Sequence, residues 1–171
     1  MGDDLRNFAQ FDIAERAAFY LGKGFHCSQT VLHVVQDLLG EEDEAAVRMM
    51  GGFGGGIGGM GSVCGAIIGG VAALGLTRRK GTIEGKEDPS LFPLCAELYH
   101  RFGTEIETSH FCGDITGTDF TKPEEVKAYM NSPEKIGRCI RLVGKTAALV
   151  KDMLSREDAK SSSAGVKSSS R

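Results

Sequence analysis

The segment from Met49 to Leu76 carries no charged side chain, and its first half, MGGFGGGIGGMG, is mostly glycine. It is long enough to cross a bilayer, but glycine has low helix propensity and strongly apolar residues are sparse, so we expect no membrane insertion. The segment predicts a glycine-rich loop that leads, with Ser62 as N-cap, into a central buried helix, VCGAIIGGVAALGL. Gly65 and Gly69 form a GxxxG pair, which lets helices approach closely.

Apolar residues recur at helical spacing through most of the remaining chain, and strand-like alternation is missing. The clearest stripe follows Ser132 and Pro133 and places Cys139 on the buried face of the last predicted helix. The fold class is therefore all-α, a single-domain helical bundle formed by residues 1–156. The polar sequence EDAKSSSAGVKSSSR, residues 157–171, predicts a disordered tail. The other helices are predicted at roughly 4–22, 27–40, 41–50 and 88–102, and after Thr121 as a cap.

Length, charge and the N-terminal sequence restrict the class of protein. A chain of 171 residues fits one domain that needs no disulfides to support its core. The net charge of -3 comes from interspersed acidic and basic residues, so we expect no nucleic-acid partner. The first residues, MGDDLRNFAQ, have neither a basic n-region nor an apolar h-region, which predicts a cytoplasmic protein. A homodimer is expected only as the commonest assembly of soluble proteins.

The cysteines are the residues most informative about chemistry. Five cysteines in a reducing compartment favour metal ligands or redox thiols over permanent disulfides. No CxxC, CxxCH or Cys/His finger spacing occurs, which excludes a c-type haem, a zinc ribbon and thioredoxin-like chemistry. A helical bundle can still bring distant segments together, so we predict one site formed by Cys27, Cys64, Cys112 and Cys139. Cys95 lies on an apolar helix stripe and is interpreted as a core residue; the alternative is a resolving thiol.

Cys64 has the most suggestive surroundings of the five. It follows GGIGGMGS and begins CGAIIGG, so we expect backbone N–H groups and a helix N-terminus to point at its sulfur. Such donors stabilise a thiolate and can hydrogen-bond to cluster sulfides. Cys27 also lies where a helix is predicted to begin. The alternative for any one of these cysteines is that it packs as a small buried hydrophobe.

Two further patterns are weaker. Gly54, Gly56 and Gly59 satisfy GxGxxG, but no strand precedes them and no Lys-Ser/Thr follows, so neither dinucleotide binding nor a P-loop is expected. These glycines more simply permit positive φ angles and close approach to the sulfur site. A histidine could supply a ligand or a general base, but the motif for a Cys-His dyad has poor specificity. The histidines considered are His26, His33, His100 and His110.

Four short motifs resemble, in order, the signature of the C_GCAxxG_C_C family of redox-active proteins. They are GFHCSQTVL around Cys27, GSVCGAIIGG around Cys64, FCGDITG around Cys112 and IGRCIRLV around Cys139. The resemblance implies a redox role. The chain is also similar to the non-haem part of split-Soret cytochromes, where four such cysteines hold a two-iron, two-sulfur cluster, which implies that these four are cluster and metal ligands here. The haem attachment sequences of those cytochromes are missing.

Three functions remain open from the sequence. The first is electron transfer or redox sensing by an iron–sulfur cluster, [2Fe–2S], on four thiolates. The second is a thiol–disulfide oxidoreductase, which predicts a depressed thiol pKa at Cys27 or Cys64. The third is a structural zinc site without redox chemistry. The sequence identifies neither the redox partner nor a substrate, and it leaves open whether the chain is an enzyme.

Overall fold

The computed structural model describes residues 10–78, 81–86 and 88–168. Within this part the chain forms eight α-helices and no β-strand, so the all-α prediction is confirmed. Val63 and Phe111 form an isolated antiparallel bridge. In chain order the helices are α1 (Ile13–Gly22), α2 (Cys27–Leu39), α3 (Glu44–Met49), α4 (Gly65–Arg78), α5 (Leu91–Arg101), α6 (Cys112–Thr116), α7 (Pro123–Met130) and α8 (Pro133–Ser168), with a 3-10 turn at Met50–Phe53 and a π-helical turn at Phe102–Ile106.

Helix α4 lies at the centre of the bundle, as its apolar sequence predicts. It contacts α2, α5 and α8. Gly69 is so close to α2 that a Cβ atom there would overlap the carbonyl group of Ser28, whereas Gly70 leaves room for Leu98 of α5 and Val150 of α8. Gly69, a member of the predicted GxxxG pair, therefore lets α2 approach α4 closely. Gly70, which lies outside that pair, does the same for α5 and α8.

Helix α8 is the longest helix and packs on α1, α2, α4 and α5. The predicted stripe is confirmed in its middle, where Val143, Ala147 and Val150 are fully buried. Ile136 and Cys139, nearer its start, are only half-buried. The first turns of α8 therefore lie at the margin of the core.

Two of the predicted helix starts are wrong. Ser62 does not cap α4, which begins at Gly65; the Ser62 carbonyl instead accepts a hydrogen bond from the backbone of Cys112. Thr121 does not cap α7 either, because Lys122 occupies the N-cap position and the Thr121 hydroxyl donates to Asp119 instead. At Thr121 the cause is that a Thr side chain can bond within a turn as well as at a helix end. At Ser62 the cause is the bridge between Val63 and Phe111, which pairs this segment with another part of the chain, so the helix begins only at Gly65.

Other helix ends agree with the sequence more closely. The Ser132 hydroxyl accepts a hydrogen bond from the backbone of Lys135 and so supports the start of α8, as predicted. α1 begins at Ile13, where the Asp12 side chain caps it. The prediction of a helix from residue 4 falls partly on residues 4–9, which lie outside the described residues.

The two remaining predictions about the whole chain concern its membrane spans and its tail. In the described part of the chain, no helix is both long enough and apolar enough to cross a membrane. The backbone of α8 stays helical to Ser168, past residue 156, at which the sequence predicts the domain to end. The division into a helical domain and a disordered tail stays a prediction.

Candidate functional site

Residues 54–61, which we call the glycine loop, connect the 3-10 turn to the segment before α4. At Gly56 a Cβ atom would lie 2.6 Å from the backbone nitrogen of Ser62 and 2.8 Å from Cβ of Cys112. Glycine is therefore needed there both for the backbone angle and for space, as the sequence predicts. The residues with consecutive positive φ angles are Gly55, Gly56, Ile57, Gly58 and Gly59.

Cys27 is the first residue of α2, and its sulfur accepts hydrogen bonds from the backbone N–H groups of Ser28 and Gly55. The first N–H groups of a helix have no partner within the helix, so they are available to a sulfur at this position. Gly65 lies opposite on α4, where a Cβ atom would be 2.5 Å from the Cys27 sulfur. Cys27 is thus enclosed by the glycine loop on one side and by α4 on another.

Cys64 directly precedes α4, and its sulfur accepts a hydrogen bond from the backbone N–H group of Ala66. The prediction that a helix N-terminus points at this sulfur is therefore confirmed. The prediction that the glycine loop supplies further donors to Cys64 needs correction for Gly55, whose N–H group bonds to Cys27 instead. The physical reason is the path of the loop. It passes so close to His26, the residue before Cys27, that a Cβ atom at Gly54 would overlap the imidazole ring. The next residue of the loop, Gly55, therefore lies beside Cys27.

The isolated bridge holds Cys112 beside the segment that contains Cys64. Cys112 is the first residue of the short helix α6, and its carbonyl accepts a hydrogen bond from the Thr116 hydroxyl at 2.7 Å. The sequence predicts this short helix within a turn-rich segment. Two backbone hydrogen bonds flank the bridge, from Cys64 to the His110 carbonyl and from Cys112 to the Ser62 carbonyl, each at 2.8 Å.

Cys139 lies in the second turn of α8, and the Tyr129 hydroxyl on α7 lowers the pKa of its thiol. A cavity of about 330 Å³ also borders Cys139, and Arg138, Lys135 and Asp114 contribute to its lining. Cys139 therefore lies between α7 and a space that is large enough for solvent.

The four predicted site cysteines lie within electrostatic range of one another, because negative charge on one sulfur raises the pKa of others, and their role as one site stays a prediction. Burial raises the pKa of Cys64, and charges on Cys27, Cys112 and Cys139 raise it further. Burial also raises the pKa of Cys112 to about 12, with added contributions from Cys27 and Cys139. Such effects require charges that are near one another in a medium of low dielectric constant. Below, the cysteine site means these four residues.

Burial outweighs the hydrogen bonds at each sulfur of the cysteine site. It raises the pKa of Cys27 despite the N–H groups of Gly55 and Ser28, which lower it. It raises the pKa of Cys139 despite the Tyr129 hydroxyl. The depressed pKa that thiol–disulfide chemistry predicts at Cys27 or Cys64 is therefore wrong, because desolvation of the charged form dominates.

Cys95 lies apart from the cysteine site. It is half-buried on α5, packs against the hydrophobic core, and has a pKa that is raised by burial alone. The sequence interpretation of Cys95 as a core residue agrees with this environment. Cys64 and Cys112 are more deeply buried, with 4% and 5% of their surfaces exposed.

The described side chains do not form a preassembled site for a single metal ion. Among residues 10–78, 81–86 and 88–168, no group of three or more His, Cys, Asp or Glu side chains is arranged to hold one. A structural zinc ion requires four such ligands around one point. The His110 ring is engaged elsewhere, since it stacks on Tyr99 with the centroids 3.8 Å apart and its Nε2 lies 2.8 Å from the Tyr99 carbonyl oxygen.

A comparison with protein families now identifies the chain. A family model described as "Putative redox-active protein (C_GCAxxG_C_C)" matches residues 25–153. The chain belongs to this family. The match contains all four cysteines of the site, and a redox-active protein is therefore the functional class. No curated protein and no solved structure matches the chain.

One residue of this C_GCAxxG_C_C protein was missed by sequence reasoning. Tyr129 lies on α7, which has no buried residue, and helical spacing does not indicate that its hydroxyl lowers the pKa of Cys139. The signal that could have found it is an aromatic residue in the largely polar helix sequence PEEVKAYM. An aromatic side chain with a polar tip usually has a partner for that tip when it is partly buried.

Proposed function

We propose that this C_GCAxxG_C_C protein is an electron carrier or redox sensor whose cysteine site holds a [2Fe–2S] cluster. The observation that carries the proposal is the mutual influence of the four sulfurs in one buried region, from which Cys95 is separate. These cysteines come from distant segments of the sequence, and three of them lie at or directly before the start of a helix. These positions support the proposal of an all-cysteine ligand set.

The donor set fits such a cluster chemically. A [2Fe–2S] cluster takes two thiolates at each iron, so it needs two pairs of cysteines rather than three ligands around one ion. The raised pKa values do not oppose this, since a coordinating thiol is deprotonated by the metal and binding releases its proton. When bound, the cluster supplies reversible one-electron transfer.

The residues around the sulfurs have defined tasks in this proposal. Backbone N–H groups offset negative charge on two of the sulfurs. Those of Gly55 and Ser28 act on Cys27, and that of Ala66 acts on Cys64. Hydrogen bonds to ligand sulfurs and exclusion of solvent are two of the factors that set the potential of an iron–sulfur site. The deep burial of Cys64 supplies the second factor.

Thiol–disulfide exchange is the second candidate function. The observation in its favour is that Cys27, Cys64, Cys112 and Cys139 are all free thiols whose charges interact. The observation against it is that burial raises the pKa of each, whereas the attacking group in such exchange is a thiolate. We therefore rank it below the cluster.

The test compares two serine variants with the wild-type protein, all purified without oxygen. Cys64→Ser removes a thiol of the cysteine site, and Cys95→Ser removes the thiol on α5 as a matched control. We expect the wild-type protein and Cys95→Ser to contain iron and sulfide in equal amounts and to show visible absorption bands. We expect Cys64→Ser to lose both. Circular dichroism verifies that all three proteins remain helical.

Other outcomes would redirect the assignment. Equal iron in the two variants would contradict the cluster on these four cysteines. Zinc in a colourless wild-type protein would support a structural metal site instead. A wild-type protein that contains no metal and forms reversible disulfides in air would support thiol–disulfide exchange.

A further inference from the structure

Helices α4 and α5 pack side by side and leave large apolar side chains exposed. The two helices run antiparallel, because Gly70 in the first half of α4 packs on Leu98 in the second half of α5. Arg78 at the end of α4 also pairs with Asp88 before α5, at 3.7 Å. An exposed apolar surface on two adjacent helices is typical of an interaction site. The exposed side chains are Val71, 37% exposed, and Phe92 and Tyr99, 74% and 39% exposed.

The exposed side of α4 points away from α8. Gly70 marks the opposite side, since it leaves room for Val150 of α8. Residues two apart in an α-helix are rotated by about 200°, so they point in nearly opposite directions. Ile68, two residues before Gly70, therefore points away from α8. Val71 lies three residues after Ile68 and shares its side of the helix.

The exposed side of α5 points away from α8 as well. Glu97 marks the side of α5 that faces α8, because it pairs with Arg156 of that helix. Cys95 and Tyr99 are each two residues from Glu97 and so lie on the opposite side. Phe92, three residues before Cys95, shares that side. The two helices therefore present one surface, which we call the α4–α5 face and which consists of Ile68, Val71, Phe92, Cys95 and Tyr99.

The α4–α5 face carries no Asp, Glu, Lys or Arg side chain. Helix α4 contains none before Arg78 at its end. Those within α5 are Glu97 and Arg101, and both pair with side chains of α8. A two-fold symmetric interface sets the same surface of two copies against each other, so charges of one sign would meet across the axis. A face without charge can pack on its own copy without that repulsion.

The aromatic side chains of the face also suit an interface between two copies. The centre of a homodimer interface is apolar, poor in charged residues and rich in aromatic residues. The Tyr99 ring stacks on His110 with the centroids 3.8 Å apart, so its orientation is fixed before any partner binds. A side chain that is already ordered loses less conformational entropy on association.

The ends of the chain are less suited to cover this face. Residues 1–9 carry the charged side chains of Asp3, Asp4 and Arg6, and they lead into α1, which packs mainly on α8 and α2. Residues 159–171 contain Val166 as their one large apolar side chain. A second copy of the protein instead brings an apolar face of the same size and shape.

We propose that the α4–α5 face is the interface of a two-fold symmetric homodimer, in which α4 and α5 of one copy pack on α4 and α5 of the other. Four helices then meet, as in the core of a helical bundle. Association removes Phe92 and Tyr99 of both copies from water, which is the main driving force. The dimer requires neither a metal nor a redox reaction, so it goes beyond the proposed function and does not depend on it.

The test measures the mass of the protein in solution, by size-exclusion chromatography with light scattering over a dilution series. We expect twice the mass of one chain for the wild-type protein. We expect Phe92→Glu to be a monomer, or to raise the dissociation constant of the dimer by at least about tenfold, because two carboxylates would be buried without partners. Phe92 is mostly exposed within one copy, so this variant should keep its fold, which circular dichroism verifies.

Two further variants make the test specific to this face. Val71→Glu places the same charge on the α4 side of the face, and we expect it to dissociate the dimer too. Met130→Glu is the matched control, because Met130 is 63% exposed and lies on α7, which packs on α8. We expect it to remain a dimer.

Two results would overturn the proposal. A wild-type protein that is monomeric throughout the dilution series would mean that the α4–α5 face does not bind a second copy. A dimer that persists in both Phe92→Glu and Val71→Glu would mean that the copies meet at another surface. Neither result bears on the iron and sulfide content of the protein, so the proposed function is tested separately.

Discussion

Ile57 is the one residue other than glycine that has a positive φ angle among the described residues, at 63°. A β-branched side chain in this left-handed region is strained, at a cost of about 1–2 kcal/mol. The neighbouring glycines of the loop have similar angles without that cost. The glycine loop therefore stores strain at one residue beside the cysteine site, as functional sites often do.

Replacing Ile57 with asparagine should relieve this strain, because Asn tolerates left-handed angles. The Ile57 side chain is 45% exposed, so the substitution removes little buried surface. We expect Ile57→Asn to increase the free energy of unfolding of the metal-free protein by about 1 kcal/mol, measured by urea denaturation.

The matched control for this prediction is Ile83→Asn, at an isoleucine that is 90% exposed and has no positive φ angle. It should change the free energy of unfolding by less than about 0.5 kcal/mol. If Ile57→Asn destabilises the protein as well, the strain argument is wrong and the Ile57 side chain has a packing role.

Single residues differ in how far the sequence could predict them. Cys64 was predictable, because a cysteine directly before a helix lies near that helix's unpaired N–H groups whatever the rest of the fold does. The donor to Cys27 was not, since Gly55 reaches it only through the folded path of the loop. The same holds for Tyr129, which affects the pKa of Cys139 on α8 from a different helix, α7.

At the scale of single helices, the glycines of α4 divide into two kinds that the sequence does not distinguish. Gly65 faces α2, and a Cβ atom there would lie 2.5 Å from the Cys27 sulfur and 2.9 Å from the Phe53 carbonyl oxygen. Gly75 lies on the same helix with no atom within 4 Å of such a Cβ. Alanine should therefore have opposite effects at the two positions.

We expect Gly65→Ala to lower the free energy of unfolding by about 1–3 kcal/mol, the usual cost of overpacking a core. It should also reduce the iron content, since Cys27 must move. Gly75→Ala should raise the free energy of unfolding by about 0.5–1 kcal/mol, because alanine is the better helix former. Denaturation curves of both variants check this, and a similar sign of change in both would contradict the close packing of α4 on α2.

Helices were easier to predict than their ends. A long apolar stripe such as that of α8 stabilises a helix wherever one face is buried, so the existence of that helix follows from the periodicity of the sequence. The ends of a helix depend on a few polar groups, and each of these groups can form a hydrogen bond with any of several partners. Ser62 and Ser132 look alike in the sequence, yet only Ser132 bonds to the first turn of a helix, because Ser62 lies in the segment that pairs around the bridge.

For the whole molecule, the sequence predicts a shared cysteine site only in outline. Composition and periodicity predict a helical bundle, and a bundle permits distant cysteines to meet, but neither property says which cysteines face one another. Cys95 and Cys139 both lie on apolar helix stripes. Only the packing of their helices, α5 and α8, on α4 gives the two cysteines different surroundings. The order of the family motifs was the part of the sequence that separated the four site cysteines from Cys95.

Ion pairs at the surface also join distant parts of the bundle. Glu97 on α5 accepts hydrogen bonds from Arg156 on α8 at 2.5 Å and from Arg101 at 3.4 Å, and Arg101 in turn pairs with Asp152 on α8 at 3.2 Å. The hydrogen bond from Arg156 is the main cause that lowers the pKa of Glu97. These groups are partly exposed, so the contribution of the pairs to stability is at most about 1 kcal/mol.

The lowered pKa determines how this contribution depends on pH. A carboxylate with a lower pKa in the folded state than in the unfolded state stabilises the fold above the unfolded value, about 4.3 for Glu, and that stabilisation is lost as the pH falls through the folded value. Glu97→Gln should therefore lower the free energy of unfolding at pH 7 by up to about 1 kcal/mol. The difference from wild type should shrink below pH 4 and in high salt.

Glu41→Gln is the control for this prediction, because Glu41 is exposed and lies outside the ion pairs that join α5 and α8. Urea denaturation of both variants and the wild-type protein at pH 7 and at pH 3.5 provides the measurement. A Glu97→Gln deficit that is equally large at both pH values would mean that side-chain packing, rather than charge, accounts for the role of Glu97. A deficit confined to pH 7 would instead show that ion pairs help to keep α5 against α8.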